Sequence, residues 1–253
     1  MTTLRLKIKE KLYDYFPDDK ITLYKNNFIV SDCLDFYLIY DKVHFIYIEE
    51  LNKSKYSGTE ILNKIKELCL FFPEIIYIKL LDASRILLED SKGNPINYTL
   101  STLFIMISGM SWYNKHGYYQ ETFQKDYINY MSIINKNFRD SFQYIIDNIE
   151  QLNEDNDGFF YSNLREVYEL IYNEDADQDS TFYITKCIEF VLNNISSINE
   201  NSTISEVGKF IKDNKNIDDN TLYFKYIILT IFETVFKYQW ENENKYLIKL
   251  LYV

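Results

Sequence analysis

The chain has 253 residues, room for one large domain or two small ones at about 100 to 200 residues per domain. Hydrophobic residues make up 47% and charged residues 26%, with six glycines and three prolines, so collagen, flexible linkers and intrinsic disorder are excluded. A net charge of −11 and a pI near 4.8 give no pull towards phosphate backbones or anionic lipid, which speaks against a dedicated nucleic-acid binder.

Four arginines against 23 lysines, and two alanines, mark an AT-rich coding bias in which a glycine that is present is expected to serve its backbone. Cys33, Cys69 and Cys187 are widely spaced and form no CxxC, so neither a disulfide framework nor a metal knuckle is expected, and a reducing cytoplasmic location fits. Met1 to Glu10 alternates charged and apolar residues and lacks a signal-peptide core. The longest uncharged stretch, Gly93 to Asn114, carries too many polar residues to enter a bilayer cheaply, so no membrane partner is expected.

In chain order, Leu4, Ile8, Leu12 and Tyr15 predict an amphipathic helix that Pro17 stops. Ile21 to Val30, broken at Asn26-Asn27, then Phe36 to Tyr40 and Val43 to Ile48, predict an antiparallel meander. Both alternating faces of Val43 to Ile48 are apolar, the pattern of a central strand covered by helices on both sides. Ile61, Ile65, Leu68, Cys69 and Phe72 predict a helix, Pro73 ends it, and Ile75 to Leu81 predicts a strand. Strand, helix, strand reads as a right-handed crossover between parallel strands. A loop around Asp82, Asp90, Gly93 and Pro95 precedes a helix expected from Thr99 to Lys115, ended by Gly117.

Beyond Gln124 no strand is expected. Helical stripes run through Phe142, Ile145, Ile146, Ile149 and Leu152; Leu164, Val167 and Ile171; and Ile184, Ile188, Val191 and Ile195, between acidic linkers. Gln124 to Leu152, without Pro or Gly, reads as one rigid connection. Thr203-x-x-Glu206 reads as a capping box, and Leu222 to Phe236, apolar around most of the helix, as the centre of a helical core. The expected organisation is an α/β domain over 1–122 followed by an all-α domain over 123–253 packed on it.

Generic searches for chemistry yield little. His44 and His116 stand alone, and no HExxH, GxSxG, GxGxxG or P-loop occurs. Asp175-x-Asp177-x-Asp179 has the opening spacing of a calcium loop but lacks its sixth-position Gly and twelfth-position Glu, so no metal site is expected.

Two segments say more together. Ile46-Tyr-Ile-Glu-Glu50 is followed by Lys55-Tyr-Ser-Gly-Thr-Glu60 at the start of a helix, and a later helix ends Ser111-Trp-Tyr-Asn-Lys-His-Gly-Tyr118. In order and spacing these resemble the GNAT family of acyl-CoA-dependent N-acetyltransferases over about residues 20 to 122. The family's R/Q-x-x-G-x-G/A loop is matched by Lys55-x-x-Gly58-x-Glu60, and its Y-E-K-L-G-F helix end by Tyr113-Asn-Lys-His-Gly117-Tyr118. The helix end also resembles GNAT-like proteins of large DNA viruses with AT-rich genomes.

The resemblance implies a GNAT-like mixed sheet and acetyl-CoA as cofactor. It implies pantetheine along the strand at Ile48, and pyrophosphate at the helix start formed by Lys55, Tyr56, Ser57, Gly58, Thr59 and Glu60. It implies Glu49 or Glu50 as base and Tyr113 as acid. The departure is Glu60, a carboxylate where the family has a small residue. Ser57-x-x-Glu60 is also a capping box, by which the helix satisfies its own N–H groups. Two readings follow: a degenerate GNAT-like scaffold that binds a protein partner through an acidic, Tyr-rich surface, or an active acetyl-CoA-dependent N-acetyltransferase acting on an amine.

Overall fold

The computed structural model describes residues 2–52, 54–81, 85–148, 159–172, 180–194, 201–216, 218–238 and 246–251. Contacts divide the chain into two compact units, both discontinuous in sequence. Unit 1 takes Met1–Asp82, Tyr113–Glu121 and Asn244–Val253, and unit 2 takes Ala83–Trp112 and Thr122–Glu243.

Unit 1 is built on a six-stranded mixed sheet. Helix α1 (Thr2–Tyr15) leads into β1 (Ile21–Tyr24), β2 (Asn27–Val30), β3 (Leu34–Tyr40) and β4 (His44–Leu51), each antiparallel to the one before, as the alternation predicts. The first turn is Lys25-Asn26, where Lys25 takes a left-handed φ of 55°, so Asn27 opens β2 instead of closing the turn. Helix α2 (Gly58–Phe71) then carries the chain to β5 (Ile75–Leu81), which pairs parallel to β4 from His44↔Ile75 to Ile48↔Leu80.

One face of the sheet is closed. Phe28, Val30, Phe36, Leu38, Ile46, Ile48, Ile78 and Leu80 are all buried, and α1 and α2 supply Ile8, Leu12, Ile61, Ile65 and Leu68 to the same core. The expectation that β4 is buried on both sides is corrected. Phe45 and Tyr47 are only half-buried, with Phe45 stacked on Tyr77 of β5 at 4.6 Å.

The expectation that no strand follows Gln124 is also corrected. β8 (Tyr246–Leu250) pairs antiparallel to β5 and closes the strand order β1-β2-β3-β4-β5-β8. On its other side Tyr119 forms a single bridge with Ile248, through reciprocal N–H to C=O bonds of 2.9 Å. Five residues of Tyr-Leu-Ile-Lys-Leu at the end of a helical half carry too short a pattern to stand out.

Unit 2 opens with β6 (Arg85–Glu89) and β7 (Pro95–Thr99), an antiparallel hairpin in place of the expected loop. The helix expected over Thr99 to Lys115 is two: α3 (Leu100–Ser108), capped by Gly109 at a left-handed φ of 69°, and the single turn α4 (Trp112–Lys115), which runs into unit 1. A Cβ on Gly109 would stand 2.9 Å from Met131 Sδ, so both conformation and space call for glycine there. The uninterrupted segment expected from Gln124 is α5 (Phe123–Ile134) and α6 (Phe138–Asp147), parted at Asn135–Asn137, where Phe138 N–H bonds Ser202 C=O.

Next come α7 (Phe159–Tyr172), α8 (Ser180–Asn194), α9 (Ile204–Asp213) and α10 (Asp219–Tyr238). Thr203 and Glu206 form the expected capping box at α9. Leu222, Phe224, Ile227, Ile228, Leu229, Ile231 and Phe232 of α10 are almost completely buried, which makes it the centre of the unit 2 core as its all-round apolar pattern predicts. The acidic linkers at 153–158 and 173–179, with the Asp175-x-Asp177-x-Asp179 spacing, and the positions Ile149, Leu152 and Ile195 lie outside the described residues.

The turn of the β6–β7 hairpin is held by Asp90, only 6% exposed. Its carboxylate accepts from Lys92 N at 2.9 Å, Asn94 N and Asn94 Nδ2 at 2.8 Å, and Tyr223 Oη of α10 at 2.6 Å. Burial pushes this carboxyl up, but the bonds from Tyr223, Asn94 and Lys92 outweigh it and hold it at about 2. A carboxyl depressed on folding contributes stability above its unfolded pKa of about 4 and loses it as pH falls towards 2. Asp90→Asn should therefore lower the urea midpoint at neutral pH and flatten the loss of stability between about pH 4 and pH 2 relative to wild type. Equal acid limbs for the two proteins would show that Asp90 does not supply this dependence.

Candidate functional site

The start of α2 is where the family pattern would place a pyrophosphate, and two of its N–H groups, those of Ser57 and Glu60, are already engaged. Ser57 sits in extended backbone (φ −73°, ψ 153°) as N-cap. Glu60 Oε2 accepts from Ser57 N at 2.7 Å and from Ser57 Oγ at 2.8 Å, while Glu60 N donates to Ser57 Oγ at 3.3 Å. These bonds, led by the backbone N–H of Ser57, hold the Glu60 carboxyl below its ordinary value. The capping box read from the sequence is thus present in both directions.

Lys55 is drawn the other way. Its Nζ lies 3.2 Å from Asp19 Oδ2 and 3.9 Å from Asp18 Oδ2, and 5.1 Å from the Tyr56 ring centroid. Tyr56 Oη donates to Asp19 at 3.0 Å, and its ring packs edge-on against Phe16 with Lys64 Nζ over its face at 4.7 Å. Burial pushes the Asp19 carboxyl up, and hydrogen bonds from Lys55, Tyr56 and Ser31 more than reverse it. Gly58, matched to the family's turn glycine, is the first residue of α2 and is not among the left-handed glycines Gly93, Gly109 and Gly117.

Along β4, Ile48 is buried and partnered on both sides, by Phe36 of β3 and Leu80 of β5. Past it the two ladders part. Pairing with β5 stops at Ile48↔Leu80, while pairing with β3 continues to Leu34↔Leu51. The β3–β4 register moves one residue on β3, from Asp35 to Phe36, against two on β4, so Glu49 is the extra residue of a β-bulge. Glu49 and Glu50 are exposed. Tyr37 hydrogen-bonds Glu49, the largest influence raising the Tyr37 hydroxyl above its ordinary pKa.

At the α4 end, Tyr113 is 6% exposed and packs edge-on against Tyr118 at 6.3 Å. Its carbonyl accepts from His116 N at 2.9 Å and Tyr118 N at 3.2 Å, and Asn114 Nδ2 donates to Tyr118 C=O at 2.8 Å. Gly117 ends the turn at a left-handed φ of 83°. The structure brings the two sequence motifs together at Thr59 and His116, where Thr59 Oγ1 stands 3.4 Å from His116 Nε2. Glu49 instead keeps company with Tyr37 and Asp35.

Sequence reasoning missed three contributors. His116 lies at the first turn of α2, its imidazole lowered by burial and then by the charge of Lys249. Lys249, from the unexpected strand β8, donates to the His116 carbonyl and lies over the Tyr118 ring at 5.1 Å. Asp19 holds Lys55, and the only trace of that role is its place beside Asp18 after Pro17. The three cysteines are buried free thiols, and burial pushes Cys187 up to about 12, which makes it inert as a nucleophile. Among the described residues no group of His, Cys, Asp or Glu is placed to hold a metal ion, and no helix is long and apolar enough to cross a membrane.

No family model, curated protein or solved structure matches the chain. Ser57→Ala should cost about 1 kcal/mol of unfolding free energy in urea, the usual worth of an N-cap hydroxyl, while Ser57→Asn should keep most of it. An unchanged unfolding free energy in Ser57→Ala would mean that the cap contributes nothing.

Proposed function

We propose that the protein is a degenerate GNAT-like scaffold that binds a protein partner and does not carry out efficient acetyl transfer. The observation that carries this reading is the occupation of the α2 N-terminus by Glu60, whose carboxylate takes both the N–H and the hydroxyl of Ser57. A pyrophosphate brought to this turn meets a fixed negative charge and finds Ser57 N–H and Glu60 N–H already bonded, and like charges a few ångströms apart repel by about a kcal/mol or more near a surface. Lys55, the one cation of the matching motif, is neutralised by Asp19. The GNAT-like part of the reading is supported by the antiparallel meander leading into a parallel β4–α2–β5 unit, and by the return of Tyr119 and β8 to the sheet beside β5.

A second reading, acetyl-CoA-dependent N-acetyl transfer to an amine with Glu49 as base and Tyr113 as acid, is favoured by one feature. β4 runs on to Leu51 after its pairing with β5 has ended, which leaves the β5-facing edge of Glu49 to Leu51 outside that ladder and open to an extended ligand.

Calorimetric titration of the full chain with acetyl-CoA separates the two. The wild type should show no binding in the micromolar range, and Glu60→Gly, which removes the carboxylate and frees Ser57 N–H, should bind more tightly. A melt gives the same answer, since ligand at 100 times its Kd adds about 2.7 kcal/mol of stability. Micromolar affinity of the unaltered protein would overturn the scaffold reading, and loss of turnover in Tyr113→Phe would then establish the second.

A further inference from the structure

The hairpin of unit 2 leaves one edge open. β6 and β7 form a two-stranded sheet of their own, with Leu87 opposite Asn97 and Glu89 opposite Pro95. Hydrogen-bonded and non-bonded pairs alternate along an antiparallel ladder. Asp90 N–H bonds Asn94 C=O at 3.1 Å just beyond the ladder, and Pro95 has no N–H to give, so the bonded pairs are those of Ile86 and Leu88. The N–H and C=O groups of Arg85, Leu87 and Glu89 therefore point away from β7, and none of them has a partner among the described residues. Buried backbone groups are almost always paired, so this edge faces solvent.

The side chains of the same three residues form a charge pattern that is its own complement when reversed. Arg85, Leu87 and Glu89 are exposed, Leu87 at 66%, while Ile86 and Leu88 are half-buried against the unit 2 core. A single exposed leucine needs no explanation. What distinguishes Leu87 is its place midway between a cation and a carboxylate on an unpaired edge. Neither Arg85 nor Glu89 forms an ion pair with a described residue. Edge strands that must stay single carry a charge or a proline where a partner strand would pair. In β6 the centre is apolar, and the two charges stand at its ends with opposite sign.

We propose that two copies of the chain join edge to edge through β6, antiparallel about a twofold axis at Leu87. That register sets Leu87 against the same residue of the second copy, and Arg85 of each copy against Glu89 of the other. These are the residues whose backbone groups are free, so the contact adds about six hydrogen bonds and makes one four-stranded sheet, β7-β6-β6-β7. Ile86 of each copy meets Leu88 of the other at the closer, non-bonded positions on the core side. Parallel pairing in register would set Arg85 against Arg85 and Glu89 against Glu89, and like charges directly opposite are destabilising. The pattern selects a second copy over an unrelated strand because both halves of the match lie in the same five residues. The proposal concerns unit 2, and the acetyl-CoA titration has no bearing on it.

Sedimentation equilibrium of the full chain from about 10 μM to about 1 mM tests this, the range that suits a contact smaller than a standard interface. The mass should rise with concentration from 30.5 kDa towards twice that value. Leu87→Pro removes an N–H that points away from β7, so it should hold the chain at its monomer mass and leave the urea midpoint unchanged. Arg85→Glu and Glu89→Arg each put like charges into both cross-strand pairs and should raise the dissociation constant about tenfold or more, and the two substitutions in one chain should restore it. Under mild oxidation Leu87→Cys should cross-link the copies and Arg85→Cys, which faces Glu89, should not, the native cysteines being buried. If Leu87→Pro lowers the urea midpoint, the charge variants, all at exposed positions, decide the matter. A wild type that stays monomeric throughout leaves the edge to an unrelated strand and overturns the proposal. A dimer that survives in a folded Leu87→Pro, or a double charge variant as weak as the single ones, overturns it equally.

Discussion

Parallel strands cannot be joined by a tight turn, and the pairing of β4 with β5 places most of what matters in unit 1. The crossover that this pairing demands is α2, whose buried side, Ile61, Leu62, Ile65, Leu68 and Cys69, lies in the same core as Ile46, Ile48, Ile78 and Leu80. Because the helix must start just beyond the end of β4, its first turn and the loop before it lie next to the strand end in sequence. The bulge at Glu49 and the loop Lys55 to Glu60 are therefore consequences of one topological step. The early end of the β4–β5 ladder marks the place where the two strands are no longer tied.

What the loop does at that place is decided by local competition for hydrogen bonds. A helix start offers unpaired N–H groups to whichever acceptor is nearest, a ligand or a side chain. Here Ser57 Oγ takes the N–H of Glu60 and the Glu60 carboxylate takes that of Ser57, partners only three residues apart that pair at a small entropic cost. Lys55 obeys the same logic, since Asp19 is held close by the bond from Tyr56 and by the packing of Tyr56 on Phe16. Both contacts arise from short-range chemistry, without any rearrangement of the fold.

The parts of the structure that were legible in the sequence are those carried by local periodicity. The meander, α2 with its capping box, β5 and the central helix α10 each repeat an apolar pattern over enough residues to be read. The misreadings have separate physical causes. Phe45 and Tyr47 on the second face of β4 look like core residues because they are apolar, yet they are only half-buried, with Phe45 stacked on Tyr77 of β5. The hairpin β6–β7 escaped because exposed Leu87 breaks the apolar–polar alternation of β6 and because its turn is organised by Asp90, whose partner Tyr223 lies far along the chain. In the candidate site, Glu60 and Ser57 were readable because their partnership spans three residues. Asp19 with Lys55, His116 with Thr59, and Lys249 with His116 are long-range pairs that no local pattern announces.

β8 shows how such a pair shapes the whole of unit 1. The strand next to β5 comes from the far end of the chain, after all of α5 to α10, and it is met there by Tyr119, which leaves the sheet at once. Unit 1 is thus completed only when residues on both sides of the long helical stretch have come together. The left-handed turn at Gly117 and the bond from Lys249 to the His116 carbonyl tie the α4 end to β8 at the same spot, and a Cβ at Gly117 would stand 3.4 Å from Lys249 Nζ. Loop-closure entropy grows only slowly with length, so a long intervening stretch is tolerated, provided the closing strand brings enough contact. Here that contact is a five-residue ladder on β5, from Tyr77↔Leu250 to Leu81↔Tyr246, with one bridge on its other side. The helix end Trp112 to Tyr118, which looked like a motif complete in itself, is also tied at the His116 carbonyl by a lysine that follows it by more than half the chain.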